Sequence, residues 1–162
     1  MYGRNIKAYN RTKLEAEMLV ATPYRITQML FEGLIERINQ AKGYMQSNDP
    51  ANRAKFISKA VGILNGLQGA IDPTYDEELG NRIIGLYEYM KNRLNEANIT
   101  NDTAPLDEVI KLITPIKEAW DQIPEEIRDE QNRVIMDKLK AQDDAQRDSN
   151  RQGYAFSEPQ QS

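Results

Sequence analysis

Four stretches of the chain repeat apolar residues every three or four positions, the spacing that lays them along one face of an α-helix. The first begins at Thr22-Pro23, where threonine suits a helix cap and proline the first helical position. Its stripe is Ile26, Leu30, Leu34, Ile38, Ala41 and Met45, with Met29 and Gly33 alongside, and it stops near Ser47-Asn48. The second opens in the same way at Asp49-Pro50 and carries Ala54, Ile57, Val61, Leu64, Leu67 and Ile71 before Asp72-Pro73 ends it. Gly62, Gly66 and Gly69 lie inside this stretch. Each glycine weakens a helix by ~1 kcal/mol relative to alanine, so the pattern predicts either a weak or bent helix or a close approach by a neighbour.

The third stretch places Thr74 and Glu77 at capping-box spacing. Its stripe is Leu79, Ile83, Leu86, Met90, Leu94 and Ala97. A polar connection, Asn98 to Ala104, leads to the fourth, which starts near Pro105 and carries Leu106, Val109, Ile113, Ile116, Trp120 and Ile123. Pro115 interrupts it. Proline removes the bond its N–H would give to the Lys111 carbonyl, at about 3 kcal/mol. The stripe keeps its phase across the break, which predicts one kinked helix rather than two. No strand-like alternation competes with these readings. Short connections between helices of this length predict an all-α fold, an antiparallel up-down four-helix bundle over residues 22–123.

Two flanks remain. Residues 1–21 read as a mobile N-terminal segment, with Thr12 and Glu15 at capping-box spacing ahead of a short helix at Lys13–Val20. Residues 124–162 read as a charged tail with six basic and nine acidic residues. There Ile127, Val134, Ile135 and Leu139 support a short fifth helix, and the composition beyond Gln142 predicts disorder.

Composition changes the picture chiefly by what it excludes. The 162 residues contain neither histidine nor cysteine. That removes Ser-His-Asp and Cys-His catalysis, disulfides, and the usual zinc, haem and Glu-x-x-His di-metal sites. The cluster Asp76, Glu77 and Glu78 is explained by the positive end of a helix dipole. No catalytic, cofactor-binding or metal-ligating residue is assigned, and the chain reads as no enzyme and as needing no cofactor. A net charge of −4 argues against nucleic acid as a partner. No apolar run is long enough to insert directly into a membrane, and no secretory h-region opens the chain, so a cytoplasmic location is expected.

What remains is binding. Tyr87 and Tyr89 project roughly 200° apart on one helix, and a single buried face does not hold both. They fall on opposite shoulders of the third stripe, at the seams with neighbouring helices. Trp120 lies on the fourth stripe and reads as core. Tyr2, Tyr9, Tyr44 and Tyr89 form a surplus of aromatics over what one core needs. Such residues suit an apolar groove that takes a partner segment.

Four elements in order resemble the flagellar secretion chaperone FliS family: "AY" at Ala8-Tyr9, "ATPYRITQMLFEGLIERINQAK" from Ala21 to Lys42, "LYEYMKNRLNEANITND" from Leu86 to Asp102, and "LDEVIKLITPIKEAW" from Leu106 to Trp120. The chain departs from that family's pattern at Pro115, at Phe31-Glu32 where tyrosine-aspartate is common, and in the length of its tail. The resemblance implies a cytosolic chaperone that binds the disordered C-terminal region of flagellin, prevents premature polymerisation and delivers its client to a component of the flagellar export gate. It implies client contacts at Tyr2, Ile6, Tyr9, Tyr44, Tyr87 and Tyr89, with the N-terminal segment acting as a lid over a groove. The residues alone leave open a second reading, a regulatory or scaffold module for some other amphipathic helix.

Overall fold

The structure is a computed structural model that describes residues 2–72, 74 and 76–155; at residues 2, 4, 14–20 and 152–155 it describes the backbone alone. Six helices account for it: α1 (Tyr2–Val20), α2 (Pro23–Gln46), α3 (Pro50–Gly69), α4 (Glu77–Thr100), α5 (Ala104–Asp121) and α6 (Glu125–Ala155). No strand occurs among the described residues. The chain divides into two compact units. Arg25–Gln122 is one; the residues up to Tyr24 and those from Ile123 onward form the other.

Within Arg25–Gln122 the helix boundaries follow local chemistry. Asp49 accepts the Asn52 N–H at 3.1 Å and caps α3, with Pro50 in the first turn. The cap of α4 is Asp76, which accepts the Leu79 N–H at 3.0 Å. This corrects the Thr74–Glu77 box: Thr74 instead turns back to the Asp72 carboxylate. Asn48 and Asn101 sit at φ 53°, the left-handed conformation that asparagine tolerates better than most residues and that reverses the chain after a helix. α5 runs unbroken through Pro115. That residue, like Lys111, is exposed, and an exposed carbonyl can bond to water in place of the lost N–H.

The core residues alternate steps of three and four. They are Phe31, Leu34, Ile38, Ala41 and Met45 on α2; Ile57, Ala60, Leu64 and Leu67 on α3; Tyr87, Met90, Leu94 and Ala97 on α4; and Leu106, Val109 and Ile113 on α5. This 3.5-residue period is the seam of helices packed at a shallow angle. It corrects the stripes where they take four-residue steps in succession, as at Ile26–Leu30–Leu34–Ile38 and Leu86–Met90–Leu94, since each such step rotates by ~40° off the core direction. Leu30 and Leu86 are therefore half-buried; Val61 is half-buried because Ala60, one position earlier, holds the core place, and Leu79 is 54% exposed.

Polar contacts set the direction of each neighbour. Arg53 near the start of α3 bonds Asn98 at 3.1 Å and Asn101 at 2.6 Å at the end of α4. Gln28 near the start of α2 reaches Asp121 at the end of α5 at 2.7 Å, while Lys42 near the end of α2 pairs with Asp107 at the start of α5. Neighbouring helices in this unit thus run antiparallel. Backbones approach closely along α3/α4 and α4/α5, whereas α2 has no comparably extended approach. Larger side chains bridge it instead: Phe31 meets Trp120 at 6.2 Å between ring centroids, and Tyr44 stacks on Phe56 at 5.2 Å.

The flanks are more helical than their composition suggests. α1 begins well before Lys13. Thr12 does not cap it but donates to the Ala8 carbonyl from inside the helix at 3.0 Å. α6 continues past Gln142 to Ala155, and Asp143 and Arg147 form an i,i+4 ion pair at 2.9 Å in that stretch. Residues 156–162 of the expected disordered end lie outside the described residues. In this unit the Tyr24 N–H donates to Asn132 Oδ1 at 3.0 Å, and the Arg128 guanidinium lies 4.4 Å over the Tyr24 ring.

Leu94 is fully buried in the core. Leu94→Ala should lower unfolding stability by about 2–5 kcal/mol. Chemical denaturation checks this; a change under about 1 kcal/mol would mean that the site collapses without a cavity.

Candidate partner-binding surface

Two seams of the Arg25–Gln122 unit carry the tyrosines that point outward. On the α2/α3 seam, Tyr44 is half-buried and stacks on Phe56 at an interplanar angle of 29°. The ammonium of Lys59 lies 4.8 Å from the Phe56 ring centroid, and the guanidinium of Arg37 lies 5.9 Å from it. Farther along the seam Leu30 and Ile63 are half-buried beside glycines. A Cβ on Gly33 would sit 3.6 Å from Ile63 Cδ1, and one on Gly66 4.0 Å from Leu30 Cδ1, both ordinary contact distances. Gly62 and Gly69 face open space. The glycines of α3 therefore mark no tight backbone approach; they leave its outer surface low. The result is a shallow apolar furrow with aromatic and cationic groups at one end.

The α4/α5 seam is different. Tyr89 is 45% exposed, yet its hydroxyl donates to Glu108 Oε1 at 2.5 Å. Arg93 Nε donates to Glu108 Oε2 at 2.6 Å and also pairs with Glu96. The hydrogen bond from Tyr89, then that from Arg93, hold the Glu108 carboxyl below its ordinary range. The same bond to Glu108 pushes the Tyr89 phenol upward. This seam is a polar clasp between two helices.

Of the six residues assigned from sequence, the three in the Arg25–Gln122 unit do not form one patch. Tyr44 and Tyr89 lie on seams that share no helix. Tyr87 is 4% exposed and belongs to the core; burial raises its phenol pKa. It lies on the stripe itself, because the 3.5-residue period runs through Ile83, Tyr87 and Met90 and not through Leu86. Ile6 and Tyr9 belong to the other unit and are 57% and 69% exposed. The Tyr2 side chain lies outside the described residues.

Phe56, Leu30 and Ile63 were missed as surface residues. Their only sequence signal is glycine at Gly33 and Gly66, which leaves neighbouring large residues uncovered. Glu108 carries no local signal, since its partner Tyr89 is nineteen residues away.

Among the described residues no group of acidic side chains is placed to hold a metal ion. A shallow depression of about 260 Å³ at the start of α4 is lined by Asp76, Glu78, Leu79 and Arg82. It is open, and three of its four lining residues are charged, unlike the concave apolar sites that take small organic ligands. No helix of the described residues is long and apolar enough to cross a membrane.

The depressed Glu108 pKa makes the clasp pH-dependent. Its contribution is complete above the ordinary carboxylate value of 4.5 and is lost as pH falls through the lower folded value. The Tyr89 contribution has the opposite sense: complete below 10.0, lost as pH rises through the raised folded value. Glu108→Gln should flatten the loss of stability between about pH 5 and pH 3, measured as urea midpoints. An acid limb identical to that of the unsubstituted chain would show that the clasp contributes nothing.

Comparison with known proteins extends these observations. The family model for flagellar protein FliS matches residues 5–127, from the first turns of α1 to the first turn of α6. The flagellar secretion chaperone FliSB of Pseudomonas aeruginosa is 42% identical over 124 residues, covering 76% of this chain and 98% of that protein. The flagellar secretion chaperones FliS of Vibrio cholerae and Salmonella typhimurium are each 34% identical, covering 75% and 73% of this chain and 90% and 88% of theirs. A crystal structure described as a flagellar chaperone from bacteria shares the fold, with a TM-score of 0.57 at 14% identity over 72% of this chain and 94% of that one. The helical core, the order of its elements and these relatives agree, and the chain belongs to the FliS family of flagellar secretion chaperones.

Proposed function

We propose that this protein is a cytosolic export chaperone that binds the disordered C-terminal region of flagellin, keeps it from polymerising and delivers it to the flagellar export gate. Membership of a family of flagellar secretion chaperones carries this reading. The chemistry of the surface supports it. A disordered client loses conformational entropy on binding and needs long apolar contacts to offset that loss. The α2/α3 furrow supplies an extended row of half-buried apolar groups, from Tyr44 and Phe56 to Ile63 and Leu30. α2 is held off by large side chains there, which suits an amphipathic helix laid along the seam. Arg37 and Lys59 at the Phe56 end favour acidic or aromatic client residues. The mechanism is occupancy: the client segment folds along the furrow, and the surface it would use for assembly is covered. Tyr87 is left out of the binding set because it is core, and Tyr89 because its hydroxyl is bonded to Glu108.

Co-expression with flagellin, with and without its C-terminal ~40 residues, a length that holds two or three helices able to fold on binding, tests the reading. Co-purification should require those residues. Co-purification indifferent to their loss would refute the contact, and absence of any complex would refute the client.

Tyr44→Ala should weaken that complex by about tenfold or more, the loss typical of a central aromatic anchor, while the melting temperature moves by only a few degrees. Calorimetric titration and a thermal melt on the same sample check both parts. Undiminished affinity would place the client elsewhere.

A further inference from the structure

We infer that α1 is an amphipathic helix that lies on anionic lipid surfaces. The features that point to lipid lie in α1 alone, independently of the proposed client. Residues 2–13 hold four basic residues, Arg4, Lys7, Arg11 and Lys13, and no acidic one, in a chain whose net charge is −4. The acidic residues of α1, Glu15 and Glu17, come only toward its C-terminal end. The segment is helical throughout, so its faces are defined. Ile6 and Tyr9 are three positions apart, about 60° around the helix, and share one face. Both are strongly exposed. Lys13, four positions after Tyr9, continues the same line, while Lys7 and Arg11 lie on the other side.

An apolar face with one tyrosine and a basic polar face is the pattern of helices that settle at the boundary between headgroups and acyl chains. Tyrosine suits that boundary because its ring is apolar and its hydroxyl is wet. Lys13, in line with the apolar pair, extends its stem along the acyl boundary and its ammonium to the phosphates. The cations of the far side stand about one helix diameter away, ~10 Å, close to a Debye length at physiological salt, so they still feel part of the surface potential. Nucleic acid would satisfy the charge but gives Ile6 no place to go, and so the lipid surface is the better match. The helix carries too many charges to span a bilayer and lies along its surface.

Co-sedimentation of the full chain with vesicles of mixed phosphatidylglycerol and phosphatidylcholine tests this against vesicles of phosphatidylcholine alone. Binding should appear with the anionic vesicles, weaken as salt is raised, and fall about tenfold in Lys7→Glu/Lys13→Glu and, separately, in Ile6→Ser/Tyr9→Ser. Lys7→Arg/Lys13→Arg should keep it. All these positions lie outside the Arg25–Gln122 unit, and an unchanged thermal melt verifies that each variant folds. Absence of binding overturns the inference. So does binding that ignores the apolar pair and is displaced by duplex DNA, which would mark α1 as a general polycation.

Discussion

The fold depends on four ridges of side chains that alternate in steps of three and four and meet along one axis. Every fully buried large residue of the Arg25–Gln122 unit lies on such a ridge, and no buried polar or charged residue occurs among the described residues. Burial of apolar surface is strong but non-directional, and ridges alone leave neighbouring helices free to slide by a turn. The seams supply register. Arg53 reads the last turn of α4 through Asn98 and Asn101, Arg93 and Tyr89 converge on Glu108, and Gln28 finds Asp121. These bonds are too exposed to contribute much stability each. Their value is that a helix shifted by one turn loses them together.

The unit is not packed evenly, and the unevenness links fold to function. α3, α4 and α5 lie backbone to backbone in sequence, while α2 is kept at a distance by Phe31, Tyr44 and the aromatic partners they meet. Large side chains used as spacers leave a furrow wherever a glycine stands in place of a filling residue. Gly33 and Gly66 occupy such places beside Ile63 and Leu30. Adding methyl groups there would meet ordinary contacts, so the low surface is not forced by the core. The proposed function gives such a surface a use that the core itself does not require.

Much of this architecture is legible in the sequence, and the limits have physical causes. Asp49-Pro50 announces a helix start through local chemistry, and local chemistry is what a sequence displays. The number of helices and the place of Trp120 against the core follow from periodicity. The finer assignment failed where a four-residue step was carried too far. That choice put Leu86 on the core face and Tyr87 on a shoulder, whereas the 3.5-residue seam makes Tyr87 core. Thr12 and Thr74 fit a capping pattern, but helix starts are competitive, and Asp76 took the position that Thr74 was expected to fill. The Tyr89–Glu108 bond was invisible because it joins residues on different helices. Tyr89 reads from sequence as a spare aromatic, and the structure adds that its hydroxyl is bonded to Glu108 while the residue is 45% exposed.

α6 carries the same lesson one step further. Its composition is that of a solvated tail, and most of it lies beyond the residues the FliS family model matches. Yet the first turn of any helix leaves backbone N–H groups without intrahelical partners. In α2 that turn begins at Pro23, which has no N–H to satisfy. The next donor, Tyr24, is bonded to Asn132, 108 positions later in the chain. Arg128 covers the ring of the same tyrosine and donates to the Ile123 carbonyl. A segment that does so is tied at its beginning to a residue of its own compact unit. α6 is therefore more than a solvated tail where it begins: its first turns meet Tyr24, and an i,i+4 pair such as Asp143–Arg147 supports the helix farther on.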